Sequence, residues 1–346
     1  MPELKGLATL IGSFPHKEAD EALELIFKYT PEIPCWPQLP KRDFREGMVA
    51  QFSQGFPCIR VSKDALYLDE TDKDKELERF YEDVITKDTS DFKITQDFAL
   101  GLHKFYQKLE NSDLSAIEYI KCQVTGPFTF AASINDSAGK SILHNEIFFQ
   151  VVLKGLSMKA LWQIELFKKF GKKIILFFDE PYLSCFGSAF TALNREKAVR
   201  DLRELVSSVK SPEVLVGVHC CGNTDWSIFT DVEGIDIINF DAYNFLDKVI
   251  LYSQDIGKFL ERGGRLCWGV VPTQEFSDKI TKQTLLDKIQ AGINAFKSKG
   301  VREDLLMKRM LISPACGLGS LEPGKTEAIL RLLAEFSPKM RQKEII

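Results

Sequence analysis

From residue 117 onward, short apolar runs alternate with helical patterns, and this alternation constrains the fold more than any other feature of the sequence. Parallel strands need a crossover connection, which is commonly a helix, so repeated strand–helix pairs predict parallel βαβ units. In this half we predict strands at residues 117–124, 173–178, 214–219, 235–240, 266–271 and 307–312, with helices at 145–170, 195–209, 248–262, 285–296 and 325–336.

The N-terminal part adds two predicted strands, at residues 7–11 and 33–38, and a helix at 18–29. Prolines in the second run favour an edge or a bulge over a central strand. Eight strands predict one closed (β/α)8 barrel over residues 1–346. A helix at 44–52, a hairpin at 58–68 and helices at 75–85 and 98–109 indicate an insertion on one face, at about 40–112. An open doubly wound sheet is the alternative, although the sequence has neither of the glycine-rich nucleotide motifs of that class.

Composition excludes several classes of partner. A formal net charge of −4 and a pI near 5.8 give no basic footprint for nucleic acid. No run reaches the roughly 18 uninterrupted apolar residues of a membrane helix. The first residues do not read as a signal peptide. Since most of the eight cysteines lie in or beside apolar runs, we expect reduced thiols and a cytoplasmic protein.

Polar and metal-binding residues follow the predicted strands. Because a barrel enzyme carries its active site at the C-terminal ends of its strands, these residues are expected to share one end of the barrel. They are Ser13, Gln38, Thr125, Asp179, His219, Cys221, Asp241 and Cys316.

The run at residues 214–223 predicts a metal site. In a strand, His219 and Cys221 point to one side and Cys220 to the other. Cys316 follows a second apolar run and offers a third ligand, which completes the usual minimum for zinc. Asp241 is a candidate fourth ligand, or it caps the next helix. The alternative for His219 and Cys221 is a packed histidine beside inert core cysteines.

Carboxylates at the barrel mouth predict substrate binding or proton transfer. Asp179 and Glu180 follow one strand, where they could bind an ammonium group or move a proton. Asp179 and Asp241 are the candidate catalytic carboxylates, and Ser13 and Gln38 the further candidates for substrate binding. A solvated turn is the alternative for Asp179 and Glu180.

Zinc with thiolate ligands supports two chemistries. It can activate water for hydrolysis, or it can bind a substrate thiol as a thiolate nucleophile. Sulfur ligands place more electron density on the metal, which makes it a poorer Lewis acid for water. Thiol alkylation is therefore the favoured chemistry.

Four segments in this order resemble the C-terminal catalytic half of cobalamin-independent methionine synthase: residues 11–15, 179–181, 219–221 and 314–318. The resemblance implies a (β/α)8 barrel with zinc on His219, Cys221 and Cys316, and homocysteine bound as its thiolate. It also implies that Ser13 and Asp179 hold the amino-acid part, Asp179 by its charge. The run at 219–223 is also similar to the zinc motif of methylcobamide:thiol methyltransferases and their uroporphyrinogen decarboxylase-like relatives.

This sequence departs from the synthase pattern in two ways. The position matching its remaining Glu ligand holds Asp241, one methylene shorter. The synthase has a second, N-terminal barrel that helps bind methyltetrahydrofolate, for which 346 residues leave no room. The expected methyl donor is therefore a methylcorrinoid such as methylcobalamin, free or on a corrinoid protein. The sequence has no cobalamin-binding motif, so the corrinoid is expected to come from outside.

The sequence thus predicts a zinc-dependent methyltransferase that converts homocysteine to methionine. Methyl transfer to another thiol such as coenzyme M, or from methyltetrahydrofolate, is the first alternative. A uroporphyrinogen decarboxylase-like enzyme and a non-catalytic zinc- or corrinoid-binding module are the others.

Overall fold

The computed structural model describes residues 4–188 and 193–341. Seven strands form one curled parallel sheet in the order β1-β9-β8-β7-β6-β5-β4, and β2 and β3 form a separate antiparallel hairpin. The strands are β1 Leu7–Ala8, β2 Ile59–Val61, β3 Leu66–Leu68, β4 Tyr119–Thr125, β5 Lys173–Asp179, β6 Val214–Cys220, β7 Ile235–Phe240, β8 Arg265–Val271 and β9 Met310–Pro314.

Helices connect the strands of the parallel sheet, as the alternating pattern predicted. They are α1 Ala19–Tyr29, α2 Lys73–Thr86, α3 Leu100–Glu110, α4 Pro127–Ala132, α5 Glu146–Lys168, α6 Arg195–Val209, α7 Ser227–Thr230, α8 Leu246–Val249, α9 Ser253–Glu261, α10 Lys282–Ser298, α11 Glu303–Lys308 and α12 Pro323–Arg341. Within the described ranges, none of these helices combines the length and apolar character needed to cross a membrane.

The predicted second strand, at 33–38, is not a regular strand, so the sheet has seven strands rather than eight. The segment still lies between the two edges of the sheet. Cys35 forms a single parallel bridge with Lys121 of β4, and Gln38 forms one with Ser13, just beyond β1. Two prolines explain the interrupted ladder, because Pro34 and Pro37 have no N–H to donate.

The insertion predicted after the second strand contains the hairpin β2–β3 and helices α2 and α3. The predicted helix at 44–52 is wrong: two short 3-10 helices, Phe44–Glu46 and Ala50–Phe52, take its place. Gly47 ends the first of them with an extended backbone, which interrupts the helical path. This irregular stretch directly follows the 33–38 segment and borders the site.

The inner face of the curled sheet changes from apolar to polar along the strands. A small apolar cluster fills one level; it contains Leu7, Tyr119, Ile175, Phe177, Leu215, Ile237, Cys267 and Leu311. Because strand side chains alternate between faces, the same face carries polar residues further along, including Gln123, Asp179, His219, Asn239 and Ser313. The larger core lies between the strands and the helices.

Candidate functional site

One imidazole and two thiols meet at the C-terminal end of the parallel sheet. His219 lies near the end of β6, Cys221 directly follows that strand, and Cys316 comes two residues after β9. Their potential ligand atoms all lie within 4.8 Å of one another. Strands β7 and β8 separate β6 from β9 in the sheet, so the curl of the sheet brings the three side chains together.

The contact between the two thiols moves their pKa values in opposite directions. The Cys316 thiol interacts with Cys221 and holds the pKa of Cys221 below its ordinary value. The same interaction, together with burial, raises the pKa of Cys316. Cys221 therefore loses its proton more readily than Cys316, and a divalent cation would favour deprotonation of both. An imidazole and two sulfurs form a donor set that fits zinc.

His219 is buried, and its ring contacts both Cys316 and Asn239. Burial alone opposes its charged form, but its contact with Cys316 and the charge of Asp179 raise the pKa of His219 overall. Its Nδ1 contacts Oδ1 of Asn239, on the neighbouring strand β7. This contact leaves Nε2 as the nitrogen available to a metal.

A cavity of about 290 Å³ opens beside the three candidate metal-binding side chains. A pocket of this size suits a small molecule rather than a macromolecular segment. Its lining combines the ends of β1, β5, β6 and β9 with the 38–48 segment. The polar residues that line it are Ser13, Gln38, Glu46, Asp179, His219, Cys221, Cys316 and Ser320.

Asp179 contributes an unpaired carboxylate oxygen to this pocket. The side chain is buried, and its Oδ1 has no hydrogen-bond partner. Burial raises the pKa of the Asp179 carboxyl, while the positive charges of Lys121 and His219 act in the opposite direction. An unpartnered buried carboxylate is costly, so this oxygen is suited to a donor that arrives with the substrate.

Glu46 is a second pocket carboxylate, and the sequence did not single it out. It is fully buried; Arg42 donates to Oε1, whereas Oε2 has no partner. Burial raises the pKa of the Glu46 carboxyl, and the Arg42 hydrogen bond opposes that rise. Glu46 follows no apolar run, so only its four-residue spacing from Arg42, in a stretch with helical character, could have drawn attention to it.

Ser13 and Gln38 both line the cavity and are bridged to each other. The Ser13 hydroxyl accepts a hydrogen bond from the Gly319 N–H at 3.2 Å. The Gln38 side chain donates to Oε1 of Gln51 at 2.7 Å, which directs its own amide oxygen away from Gln51. The structure therefore brings both predicted residues to the pocket that Asp179 lines.

Glu180, a predicted substrate-binding residue, is not among the residues that line the cavity. Its oxygens accept hydrogen bonds from the N–H groups of Phe128 and Thr129, at 2.9 Å each, and from the Thr129 hydroxyl at 2.7 Å. These N–H groups belong to the first turn of α4, which has no intrahelical partners for them. Glu180 is thus a buried hydrogen-bond partner of the N-terminus of α4.

Asp241 is likewise outside the metal-binding group among the described residues. One carboxylate oxygen accepts from the Asn244 N–H at 2.8 Å, and the other from the Asn244 side-chain amide at 2.9 Å. The carboxylate therefore stabilises the turn after β7; it does not cap the next helix, α8, whose N-cap is Phe245 without a side-chain hydrogen bond.

Comparisons with known proteins identify the fold. No protein-family model matches the chain. No curated protein matches it either. A candidate vitamin-B12-independent methionine synthase from Listeria monocytogenes superposes with a TM-score of 0.56 at 14% identity, covering 93% of this chain and 86% of that one. At this identity the likeness shows a shared fold, an α/β fold with a TIM-like barrel.

A second solved structure is a B12-independent methionine synthase from Shewanella sp. W3-18-1 in complex with selenomethionine. It has a TM-score of 0.45 at 17% identity and covers 64% of this chain. The present chain spans 62% of the Shewanella chain.

Proposed function

We propose that this protein is a zinc-dependent methyltransferase that alkylates a thiol, with homocysteine as the thiol and methionine as the product. The observation that carries the proposal is one cavity lined by three metal-binding side chains and by two carboxylates with unpaired oxygens. The imidazole and the two thiols suit a metal that activates sulfur, and the two carboxylates suit an ammonium group on the same substrate.

His219, Cys221 and Cys316 would hold the zinc. Three protein donors are the number typical of catalytic zinc sites, which keep a further position for substrate. When bound, zinc would lower the pKa of a substrate thiol so that it reacts as a nucleophile near neutral pH.

The chain's other pocket residues would bind and orient the substrate. Asp179 and Glu46 would accept hydrogen bonds from its ammonium group, and Ser13 and Gln38 would contact its remaining polar atoms. Orientation of this kind aligns the sulfur with the methyl carbon. The sulfur–methyl bond forms as the bond between methyl and donor breaks, and that electron pair leaves with the donor.

The lining of the cavity favours an amino thiol over the alternatives. Among the described residues that line it, none is lysine or arginine. A substrate with several carboxylates, as in a uroporphyrinogen decarboxylase, would lack counter-charges there. Coenzyme M has a sulfonate and no amine, so it would leave both carboxylates unpaired.

A methylcorrinoid is the proposed methyl donor. The cavity of about 290 Å³ suits a small thiol, so a large donor would present its methyl group at the cavity mouth. We further infer that segment 33–38 acts as the eighth member of a closed (β/α)8 barrel, an inference supported by its bridges to both sheet edges.

A methylation assay tests this function. Purified protein with measured zinc content is given homocysteine, with methylcobalamin and methyltetrahydrofolate as donors in parallel reactions. We expect methionine from methylcobalamin in proportion to zinc content. Formation of methionine by fully metal-free protein would contradict the mechanism. Activity with methyltetrahydrofolate and none with methylcobalamin would show that the folate, not a corrinoid, is the methyl donor.

A further inference from the structure

A chain of buried hydrogen bonds runs from His219 to the strand that precedes Cys316. Asn239 of β7 is fully buried and stands at its centre. Its Nδ2 donates to the Cys267 carbonyl at 2.9 Å and to the Ser313 hydroxyl at 2.8 Å, and its Oδ1 contacts Nδ1 of His219. The chain therefore crosses from β6 to β9 on the inner face of the sheet.

These partners fix which way the Asn239 amide points. The Cys267 carbonyl can only accept a hydrogen bond. The Ser313 hydroxyl donates its own hydrogen to the Pro314 carbonyl at 2.9 Å, so it accepts from Asn239. Both acceptors require the NH2 side of the amide, which places the oxygen toward His219.

An amide oxygen facing Nδ1 determines the tautomer of the imidazole. The oxygen can only accept, so Nδ1 carries a hydrogen and, in the neutral ring that binds a metal, Nε2 keeps its lone pair. The same contact restricts rotation of the ring about its bond to the backbone. Metal-binding histidines are commonly held through their other ring nitrogen in this way.

We propose that Asn239 and Ser313 are positioning residues of the metal centre. Asn239 fixes the tautomer and ring orientation of His219, and Ser313 links that amide to β9, whose next residues lead to Cys316. These hydrogen bonds thus link the histidine ligand to β9, the strand that precedes the Cys316 ligand, although two strands separate β6 from β9 in the sheet. This inference rests on the metal site of the proposed function.

Zinc affinity, measured by competition with a chromophoric chelator, tests the proposal without an activity assay. In Asn239→Leu the side chain keeps a similar volume but loses its hydrogen bonds, and we expect zinc affinity to fall by about 10- to 100-fold. Ser313→Ala should lower the affinity less. Because both residues act through one chain, the double variant should lose less affinity than the product of the two single losses.

Gln163 provides a matched control. It is another fully buried amide, which accepts from the Trp36 indole at 2.9 Å and donates to the Gln123 carbonyl at 3.1 Å. Gln163→Leu should lower the free energy of unfolding and leave zinc affinity unchanged. An equal loss of affinity in Gln163→Leu and Asn239→Leu would overturn the positioning role.

A spectroscopic measurement on the unmutated protein covers the case in which the variants fail to fold. In ¹⁵N-labelled protein, long-range ¹H–¹⁵N correlations of the histidine rings should show hydrogen on Nδ1 of His219, and zinc should shift the Nε2 signal. Hydrogen on Nε2 in the zinc-loaded protein would overturn the inference. If the protein takes up no zinc, the proposed function fails and the inference with it; if zinc binds and the variants bind it equally well, only the inference fails.

Discussion

At the scale of single residues, the site depends on which groups lack a partner inside the protein. Asp179 and Glu46 each keep one buried oxygen without a hydrogen bond, while the carboxylates of Glu180 and Asp241 are used by backbone and side-chain donors. Four carboxylates near the strand ends therefore divide into two that are available to a ligand and two that stabilise local structure.

Replacing Cys316 with serine should remove metal binding and turnover together, because a hydroxyl is a poor substitute for a thiolate ligand. Zinc content after dialysis should fall from about one equivalent, the stoichiometry of a single zinc site, to near zero. Cys220→Ala is the matched control, since Cys220 is buried next to Cys221 but lies outside the metal-binding group. Retention of zinc by Cys316→Ser would exclude this residue as a ligand.

Glu46→Gln should weaken binding of an amino thiol. A hydrogen bond to a charged group contributes about 1.5–3 kcal/mol, so KM for homocysteine should rise by about 10- to 100-fold. KM for 4-mercaptobutanoate, which lacks the amino group, should not change. Asp43→Asn is the control, because Asp43 pairs with Arg45 at 2.9 Å in the same turn without lining the cavity. An equal rise in KM for both thiols would show that Glu46 does not bind the ammonium group.

At the scale of secondary-structure elements, α4 begins at a buried acid. Glu180 accepts three hydrogen bonds at the start of this six-residue helix. Burial is the largest influence and raises the pKa of Glu180 to about 7, against the lowering effect of the Thr129 and Phe128 donors. Ionisation of this acid therefore costs more in the folded protein than in the unfolded chain.

The raised pKa predicts a pH dependence with a definite sign. Between the unfolded pKa of about 4.5 and the folded value of about 7, the folded state binds more protons. The Glu180 contribution to the free energy of unfolding is thus largest below pH 4.5, falls as pH rises and levels off above about 7. The fall is about 3 kcal/mol at 1.36 kcal/mol per pKa unit.

Denaturant unfolding of the wild type and of Glu180→Gln across this pH range measures that contribution as a difference between the two proteins. Other buried acids, including Asp179 and Glu46, titrate in both proteins, so their contribution cancels in the difference between the two free energies of unfolding. A difference that does not change with pH would show that Glu180 has an ordinary pKa in the folded protein.

At the scale of the whole molecule, the candidate metal-binding group joins strands that lie far apart along the chain. His219 lies in β6 and Cys221 directly follows it, and Cys316 follows β9 at the other end of a four-strand arc. A cation held by all three would bind the folded state and not the unfolded chain, so metal binding should stabilise the entire barrel.

Zinc should therefore raise the Tm. Free zinc at 100 times its Kd should add about 2.7 kcal/mol to the free energy of unfolding. Thermal scans with zinc, and with a chelator added, measure the effect. Cys316→Ser should show a much smaller shift, and an equal shift in that variant would place the stabilising zinc elsewhere.

The sequence by itself determined most of the architecture. Alternating apolar and helical periodicities reflect burial of strands and of helix faces, which is a local property. They located the strands from β4 to β9 and helices such as α1 and α6. Prediction was poorer at the proline-containing segment 33–38 and at 44–52, where single bridges and short 3-10 helices replaced regular elements.

The sequence also indicated the candidate ligands, because residues at the ends of parallel strands share one edge of the sheet. It could not decide between alternatives that depend on contacts distant in sequence. The sequence leaves Asp241 open between a metal ligand and a helix cap, and Glu180 between a site carboxylate and a solvated turn. In the structure their hydrogen-bond donors are Asn244 for Asp241 and the first turn of α4 for Glu180. Only the tertiary structure brought Glu46 into the cavity and set Asn239 against His219. The first placement follows from the path of irregular backbone and the second from the register between β6 and β7, and a local pattern encodes neither.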